Sequence, residues 1–424
     1  MVQTLVLCSI FTIIGLSSAH AAWVTNGVAV APSLDPVPGA PQIVSDGSGG
    51  AIVVWQNSGG SDKDIYAQRV DANGAILWVA DGIVICAAAS DQMVPHLIAD
   101  GSGGAIITWE DYRGGSHDIY AQRVNASGVV QWTTDGVAIC LAANSQESSG
   151  IVSDGSGGAI ITWEDYRGGN YDIYAQRVNA SGAVQWTANG AAVCTATNSQ
   201  SHPAISSDGS GGAVVTWQDY RSGSSNDIYA QRLNASGAVQ WTANGVAICT
   251  VAYDQTSPEI ASDGSGGAII TWQDYRSGGG NDIYAQRVNT SGAVQWTAGG
   301  VAICAADDDQ AIPEITSDGS GGAIIAWEDY RSGSDNDIYA QLVNASGAVQ
   351  WTADGVAVCA ATDIQDNPAL VSDGSGGAII TWQDYRGGSY PDIYAQEISV
   401  SGSAQWTADG DSVCTARYSQ TFPV

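Results

Sequence analysis

The sequence predicts an all-β fold, a β-propeller of seven blades with four antiparallel strands each and about 54–55 residues per repeat, on three observations. The phrase Asp-Gly-Ser-Gly-Gly recurs with its Asp at Asp46, Asp100, Asp154, Asp208, Asp263, Asp318 and Asp373, so successive copies lie 54, 54, 54, 55, 55 and 55 residues apart. Within each period, four short β-like runs alternate with clusters of Gly, Asn, Asp and Ser that suit tight turns. The second run is apolar on both parities, as at Ala268, Ile269, Ile270 and Trp272, which fits a strand covered on both faces by stacked neighbours.

In the unit that begins at Pro258, the first run is Glu259 to Ser262 and the second is AIITWQDY. The third is DIYAQRV, and the fourth is AVQW continuing through a Thr-Ala-Gly-Gly kink to VAIC. A linear β-solenoid is the rival architecture, but its repeats are usually shorter and carry fewer hairpin signals. Every one of the 15 Trp falls at one of two repeat positions. Seven end the second run (Trp55, Trp109, Trp163, Trp217, Trp272, Trp327, Trp382) and eight lie in the fourth (Trp23, Trp78, Trp132, Trp186, Trp241, Trp296, Trp351, Trp406). Such regularity predicts packing between blades, where each indole buries a large area.

The eighth fourth-run copy, Trp23-Val-Thr-Asn-Gly-Val-Ala-Val, precedes the first complete unit and is expected to supply a closing strand at about residues 23–30. A competing copy spans Trp406 to Cys414, followed by YSQTFPV, which matches the YDQTSPE that starts at Tyr253. A truncated extra repeat is therefore expected after about residue 403, with either one strand surplus or a longer natural protein. Residues 1–21, with an apolar stretch from Leu5 to Leu16 and Ala19-His20-Ala21, read as a cleaved export signal, leaving 22–424 as a single propeller domain. The expected location is secreted, extracellular or periplasmic, and a monomer is expected.

Composition narrows the partners. With 44% apolar residues the chain can bury a large core, while a formal charge of −30 would repel phosphate backbones and anionic lipid. Neither nucleic acid nor a membrane surface is expected as a partner. The 53 Gly show no three-residue period and the apolar runs are short, so collagen and coiled coils are excluded.

Units of the form DGSGGAIITWQDYRSG, DIYAQRVN and SG resemble the highly repetitive secreted bacterial β-propellers, and more distantly the TolB-type propeller blades with their Asp-Gly, Asp-x-Arg and Asp-Ile-Tyr elements. The resemblance covers roughly residues 23–417 and implies the fold rather than an activity, because such propellers are mostly uncharacterised or act as binding platforms. The sialidase Asp-box, Ser-x-Asp-x-Gly-x-x-Trp, is not reproduced by Ser262-Asp263-Gly264-Ser265-Gly266.

The motifs themselves read mostly as architecture. Asp-Gly-Ser-Gly-Gly lacks the Lys and helix start of a phosphate loop and the alternating oxygens of a calcium loop, so a Gly-dependent hairpin with Asp bonding its own backbone is expected. The motif Trp-(Glu/Gln)-Asp-Tyr-Arg offers an aromatic face beside Glu and Arg, the kit a lectin uses to stack and hydrogen-bond a sugar. Its alternative sugar sites would be Trp109, Glu110 and Arg113, then Trp163, Glu164 and Arg167, then Trp327, Glu328 and Arg331. The preferred reading is structural, with Arg here and in Ala-Gln-Arg (Arg69, Arg123, Arg177, Arg232, Arg287) pairing with the Asp of Asp-Ile-Tyr (Asp118, Asp172, Asp227, Asp282, Asp337) to stitch strands or blades. Cys86, Cys140, Cys194, Cys249, Cys304, Cys359 and Cys414 hold one equivalent position per unit, too far apart around a ring to bridge, and read as small buried apolar residues. No Cys–His metal pattern exists, and His96, His117 and His202 stand at unequal repeat positions. No cofactor, metal site or catalytic group is expected. Asn125, Asn179, Asn234, Asn289 and Asn344 lie in sequons that are also hairpin turns, where Asn is favoured in any case.

Function is expected where the copies differ. The DGSGG and N-A-S-G loops hardly vary, whereas the loops between second and third runs do (GGSH at 114–117, GGNY at 168–171, SGSSN at 222–226, SGSDN at 332–336, GGSYP at 387–391). So do those between units, such as LAANSQESS at 141–149 and AADDDQAIP at 305–313. Alternate loops of an up-and-down blade emerge on opposite faces, so one face is uniform and the other individual. The individual face, with His117, Tyr171, Tyr253, Asp307, Asp308, Asp309 and Tyr390, is the expected contact for an unknown protein or polysaccharide. The expectation is a non-enzymatic binding scaffold, with a carbohydrate-binding propeller as the first alternative and a glycan-active hydrolase or lyase as the second.

Overall fold

A computed structural model describes residues 6–7, 26–31, 39–416, 420, 421 and 423. The expected export signal and Trp23 lie almost wholly outside the described residues. The chain forms a seven-bladed all-β propeller, each blade a four-stranded antiparallel sheet whose strand order follows the sequence. Blade one spans 39–86, and the last blade 365–414. First strands are innermost, and the first strands of successive blades pack side by side from blade one to blade seven.

The second and third strands follow the apolar runs closely: in blade five, Ala268–Asp274 pairs with Asp282–Val288 without a break in register. First strands are longer than the pattern shows, because Gln255–Ser262 begins four residues before Glu259. Its register slips between Thr256 and Glu259, and the extra residue Ser257 stands at φ 51. This bulge breaks the two-residue period on which the expectation rested. Loops between units are correspondingly shorter, since 146–149 and 310–313 belong to strands.

The fourth run also differs. Only Val301–Cys304 joins the ladder, and AVQW contributes one bridge, Val288 to Val294. A glutamine side chain takes over the missing rungs: Gln286 Oε1 accepts from Trp296 N at 2.9 Å while its Nε2 donates to Thr297 O at 2.8 Å. The following turn needs glycine, because a Cβ on Gly245 (φ 86) would stand 2.6 Å from Trp217 Cη2 and 2.8 Å from Ala230 O.

The core lies between blades. Val214, Ile228, Ala230, Trp241 and Ile248 of blade four close on Ala268, Ile270, Trp272 and Val288 of blade five, and the same set recurs around the ring. The seven second-strand Trp are fully buried, as their placement predicts. Fourth-strand Trp reach across the junction, with Trp132 Nε1 donating to Ala180 O of the next blade at 3.1 Å. The seven cysteines are free and buried, and burial lifts six of their thiols to between about 11 and about 12.

Blade seven takes its fourth strand, Asp411–Cys414, from the C-terminal copy. The N-terminal copy lies beyond it, as segment 26–31 between blades seven and one. Thr415 N donates to Asn26 Oδ1 at 3.0 Å, and Val30 and Ala31 pack on Ala51, Val53, Trp55 and Val70 of blade one.

Candidate binding face

Each Trp-(Glu/Gln)-Asp-Tyr-Arg motif ends a second strand and points four of its five side chains into the scaffold. In blade two, Trp109 is 0% exposed and gives its indole N–H to Asp111 Oδ2 at 2.9 Å. Arg113 grips the same carboxylate with both arms, Nε to Oδ1 at 2.7 Å and Nη2 to Oδ2 at 2.5 Å. Its guanidinium lies 4.0 Å above the Tyr120 ring and reaches Asp135 O at 2.8 Å and Cys86 Sγ, in blade one, at 3.1 Å. A bidentate pair with its carboxylate fully buried is a latch between blades. Glu110 works across the other junction, its Oε1 accepting from Ser148 N of blade three at 2.9 Å, at the bulge of the first strand.

The same contacts recur at the other alternative sugar sites. Trp163 and Trp327 are fully buried, Arg167 and Arg331 fork onto Asp165 and Asp329, and Glu164 and Glu328 accept from His202 N at 2.6 Å and Asn367 N at 2.7 Å. With every indole face covered, no sugar ring has a surface to stack on at these nine residues. The structural reading of the motif holds, but the expected Asp partner does not. Arg69, Arg123, Arg177, Arg232 and Arg287 pair with Asp46, Asp100, Asp154, Asp208 and Asp263 of the Asp-Gly-Ser-Gly-Gly loop. Across the hairpin, Ile106 pairs with Arg123 and Ala105 with Val124, which brings that loop and not Asp118 beside the guanidinium. The loop Asp also bonds its own backbone as expected, Asp100 Oδ1 accepting from Ser102 N at 2.7 Å and Gly104 N at 2.8 Å. The Asp of Asp-Ile-Tyr is left without an Arg partner of this kind. Burial, then the neighbouring Asp111, lifts the Asp118 carboxyl to about 6, and its four equivalents rise as far.

What the motif does present is its tyrosine. Tyr112, Tyr166, Tyr220, Tyr275 and Tyr330 are exposed at the same end of successive blades, on the side of the variable loops. Their backbone is fixed, each N–H donating to the loop that enters the blade, as Tyr166 N does to Ser145 O at 2.9 Å. Sequence reasoning passed over these residues because they sit inside a motif that reads as structural. The strand period carried no signal for them, since Glu110, on the same side of the strand as Tyr112, is buried; exposure begins only where the strand ends at Asp111.

The variable residues gather beside them. His117 meets Tyr112 edge-on at 5.3 Å and Glu110 Oε2 at 2.9 Å. Tyr171 lies 5.0 Å from Tyr166 and donates its hydroxyl to Glu147 Oε2 at 3.1 Å, and burial with that carboxylate lifts the phenol to about 12. Tyr253 meets Tyr275 edge-on at 6.3 Å, and Tyr253 and Tyr390 are 59% and 56% exposed. Asp307, Asp308 and Asp309 shape the turn before blade six: Asp309 Oδ1 accepts from Asn281 N at 2.8 Å, and the carbonyls of Asp307 and Asp308 take the Gln310 amide. The seven residues are thus spread along one face, several paired with a tyrosine, rather than drawn into one pocket. Among the described residues, no group of three or more His, Cys, Asp or Glu is placed to hold a metal ion.

A second difference among the copies escaped the sequence reading. The innermost strands carry Gln42, His96, Gly150, Ala204, Glu259, Glu314 and Ala369 at one equivalent position. Burial pushes the Glu314 carboxyl up to about 7, and burial with the Glu314 charge pushes Glu259 up too. The bulge hid this register, so the position could not be aligned by period alone.

No family model and no curated protein matches the sequence. Solved structures match it at low identity. A polysaccharide lyase, Uly1, is 10% identical with a TM-score of 0.49, covering 91% of this chain and 94% of its own. A Mycobacterium tuberculosis puromycin-hydrolyzing peptidase is 11% identical with a TM-score of 0.48, covering 94% of this chain and 56% of its own. The endo-arabinase from Bacteroides thetaiotaomicron is 12% identical with a TM-score of 0.34, covering 62% and 95%. At these TM-scores the likeness carries no function, and the seven-bladed propeller is shown by the chain's own sheet order.

Proposed function

We propose that the chain is an exported, non-catalytic binding scaffold, and that it holds a protein or a surface polymer on the face that carries the variable loops. The observation that carries this reading is the row of exposed tyrosines on rigid blade ends, with His117, Tyr171 and Tyr253 added where single copies differ. Tyr offers a large contact area with few torsions to immobilise and a hydroxyl for orientation, which is why it is enriched in contact surfaces. Its supports cost nothing on binding, because hydrogen bonds already hold the backbone. The charge of −30 favours neutral or basic partners over acidic ones. A carbohydrate ligand is a second reading, now resting on these tyrosines, since an edge-on pair such as Tyr253 and Tyr275 leaves ring surface for a sugar.

The test is retention of the full chain on cellulose, chitin, xylan and intact bacterial cell walls, beside a Tyr166→Ser, Tyr171→Ser, Tyr253→Ser variant. Binding that the variant loses supports the face. Equal retention of both proteins removes the reading of this face, and no retention on any support removes the polymer as its ligand. Export is tested separately by sequencing the N-terminus of secreted material, which should begin at Ala22.

A further inference from the structure

The two faces of the ring differ in how their carboxylates are matched. On the uniform face, the Asp of each Asp-Gly-Ser-Gly-Gly loop in blades one to five meets an arginine of its own blade, as Asp263 meets Arg287 at 3.0 Å. On the variable face, the motif arginines are held inside the junctions by the motif's own Asp, as Arg276 is by Asp274 at 2.5 Å. These two sets take up every described arginine. Among the described residues, Lys63, in a loop of blade one, is the one basic side chain outside them apart from histidine. Asp254, Asp307, Asp308 and Asp309 of the variable loops are exposed with no cation of this chain paired to them.

Those acids crowd one arc of the tyrosine row. The N–H of each exposed motif tyrosine donates to the residue just ahead of the first strand, Tyr275 to Asp254 O at 2.9 Å and Tyr330 to Asp309 O at 2.8 Å. Tyr166 and Tyr220 donate instead to Ser145 and Ser199. The turn 307–309 lies between the two tyrosine-bearing loops of blades five and six. A Cβ on Gly280 would stand 2.7 Å from Asp308 O, and one on Gly333 would stand 4.0 Å from Asp308 Oδ2. The molecule itself shows what a Tyr and an Asp hold together. In blade five, Arg276 forks onto Asp274 with its guanidinium 3.6 Å above the Tyr284 ring, and five other blades repeat this at 3.7–4.1 Å. On the arc the same two partners recur at the surface, without the cation.

We propose that the arc from Tyr253 to Tyr330 docks a basic segment of another polypeptide, its Lys and Arg side chains set against the rings of Tyr253, Tyr275 and Tyr330 and the carboxylates of Asp254, Asp307 and Asp308. This rests on the variable face being the contact surface, and it names the partner's chemistry. A cation is drawn to the face of an exposed ring, the neighbouring carboxylate adds to that attraction, and a chain of charge −30 steers a basic partner inward. A neutral polymer would use the rings and leave the charge of this one arc without a role. A polypeptide fits better than an amino sugar, because Lys and Arg carry the cation on a flexible apolar stem that lies along a ring.

The probe is a synthetic peptide in which Lys alternates with Gly, titrated calorimetrically into the full chain at low and at high salt, beside the same peptide with Gln for Lys. Saturable binding of the Lys peptide is expected, weakened by salt and lost with Gln. Tyr275→Ser with Tyr330→Ser, and separately Asp307→Thr with Asp308→Asn, should each weaken it at least about tenfold. Other blades carry these residues at the same places, as Ser58, Thr197 and Asn198, so the variants keep the fold. Tyr166→Ser with Tyr220→Ser, and Asp71→Asn with Asp135→Asn, remove as many rings and charges elsewhere and should bind like the parent. Equal weakening by both tyrosine pairs or by both charge pairs would overturn the inference, as would binding indifferent to salt or equal binding of the Gln peptide. Failure of the Lys peptide alongside tyrosine-dependent retention on a polysaccharide would overturn it too, and would leave the wider reading of the face in place.

Discussion

At the residue scale, the chain turns repeated polar side chains into fixtures and leaves a few as variables. Trp163 illustrates the first kind: it fills a junction, its N–H is satisfied by Asp165, and the carboxylate is in turn held by Arg167. Trp163→Ala should cost about 3–5 kcal/mol, read from denaturant unfolding. Glu259 and Glu314 illustrate the second. A carboxyl with a raised folded pKa keeps its proton after the unfolded chain has lost it, so stability falls as pH rises through that interval. Glu259→Gln should therefore raise the melting temperature at pH 8 and leave it nearly unchanged at pH 4. An equal shift at both values would show that charge is not the cause.

At the scale of the element, the bulged first strand depends on the blade before it. The extra residue sits at positive φ, and its N–H is taken by a carboxylate or amide on the second strand of the preceding blade: Glu164 for His202, Gln218 for Ser257. Because Gln serves in place of Glu in other blades, Glu164→Gln should be nearly neutral, while Glu164→Ala leaves a partly buried N–H without a partner and should cost about 1–3 kcal/mol. Chemical denaturation of the two variants side by side checks this. The bulge also explains why the first strand was the least legible element. Its apolar period is interrupted at Ser257 and Pro258, so only the residues after the slip looked like a strand. The second and third strands, with unbroken register, were legible almost to the residue. The Arg partners were misread for a related reason, since nearness in sequence favoured Asp118 while hairpin pairing brings Asp100 to Arg123. The exposed tyrosines were not readable from the strand pattern, because both sides of the second strand are buried up to its last Asp and exposure begins only beyond it.

At the scale of the molecule, seven near-copies add their electrostatics. Asp118, Asp172, Asp227, Asp282 and Asp337 each titrate at about 6 when folded against an ordinary value of 3.8. Between those values the folded chain holds more protons than the unfolded one, so stability declines as pH rises from about 4 to about 6 and stays lower above. Asp46 and Asp100, lowered by their hydrogen bonds and Arg partners, act in the opposite sense and only below the ordinary value. The melting temperature should rise on acidification from pH 7.5 to pH 5, and Asp118→Asn with Asp172→Asn should flatten that rise. The ring of seven was legible as a whole because its evidence was periodic, while the role of segment 26–31 was not, since it depends on contacts with two blades at opposite ends of the sequence.

The account rests most heavily on the exposed tyrosine face. Its most direct measurement is the affinity of the full chain for intact bacterial cell walls, set beside Tyr166→Ser, Tyr171→Ser, Tyr253→Ser on that face and Ser102→Ala, Ser156→Ala, Ser210→Ala on the opposite one. Loss of about tenfold or more in the tyrosine variant, with the melting temperature unchanged and the serine variant like the parent, is the predicted result. Equal binding by all three proteins, or loss confined to the serine variant, would contradict it.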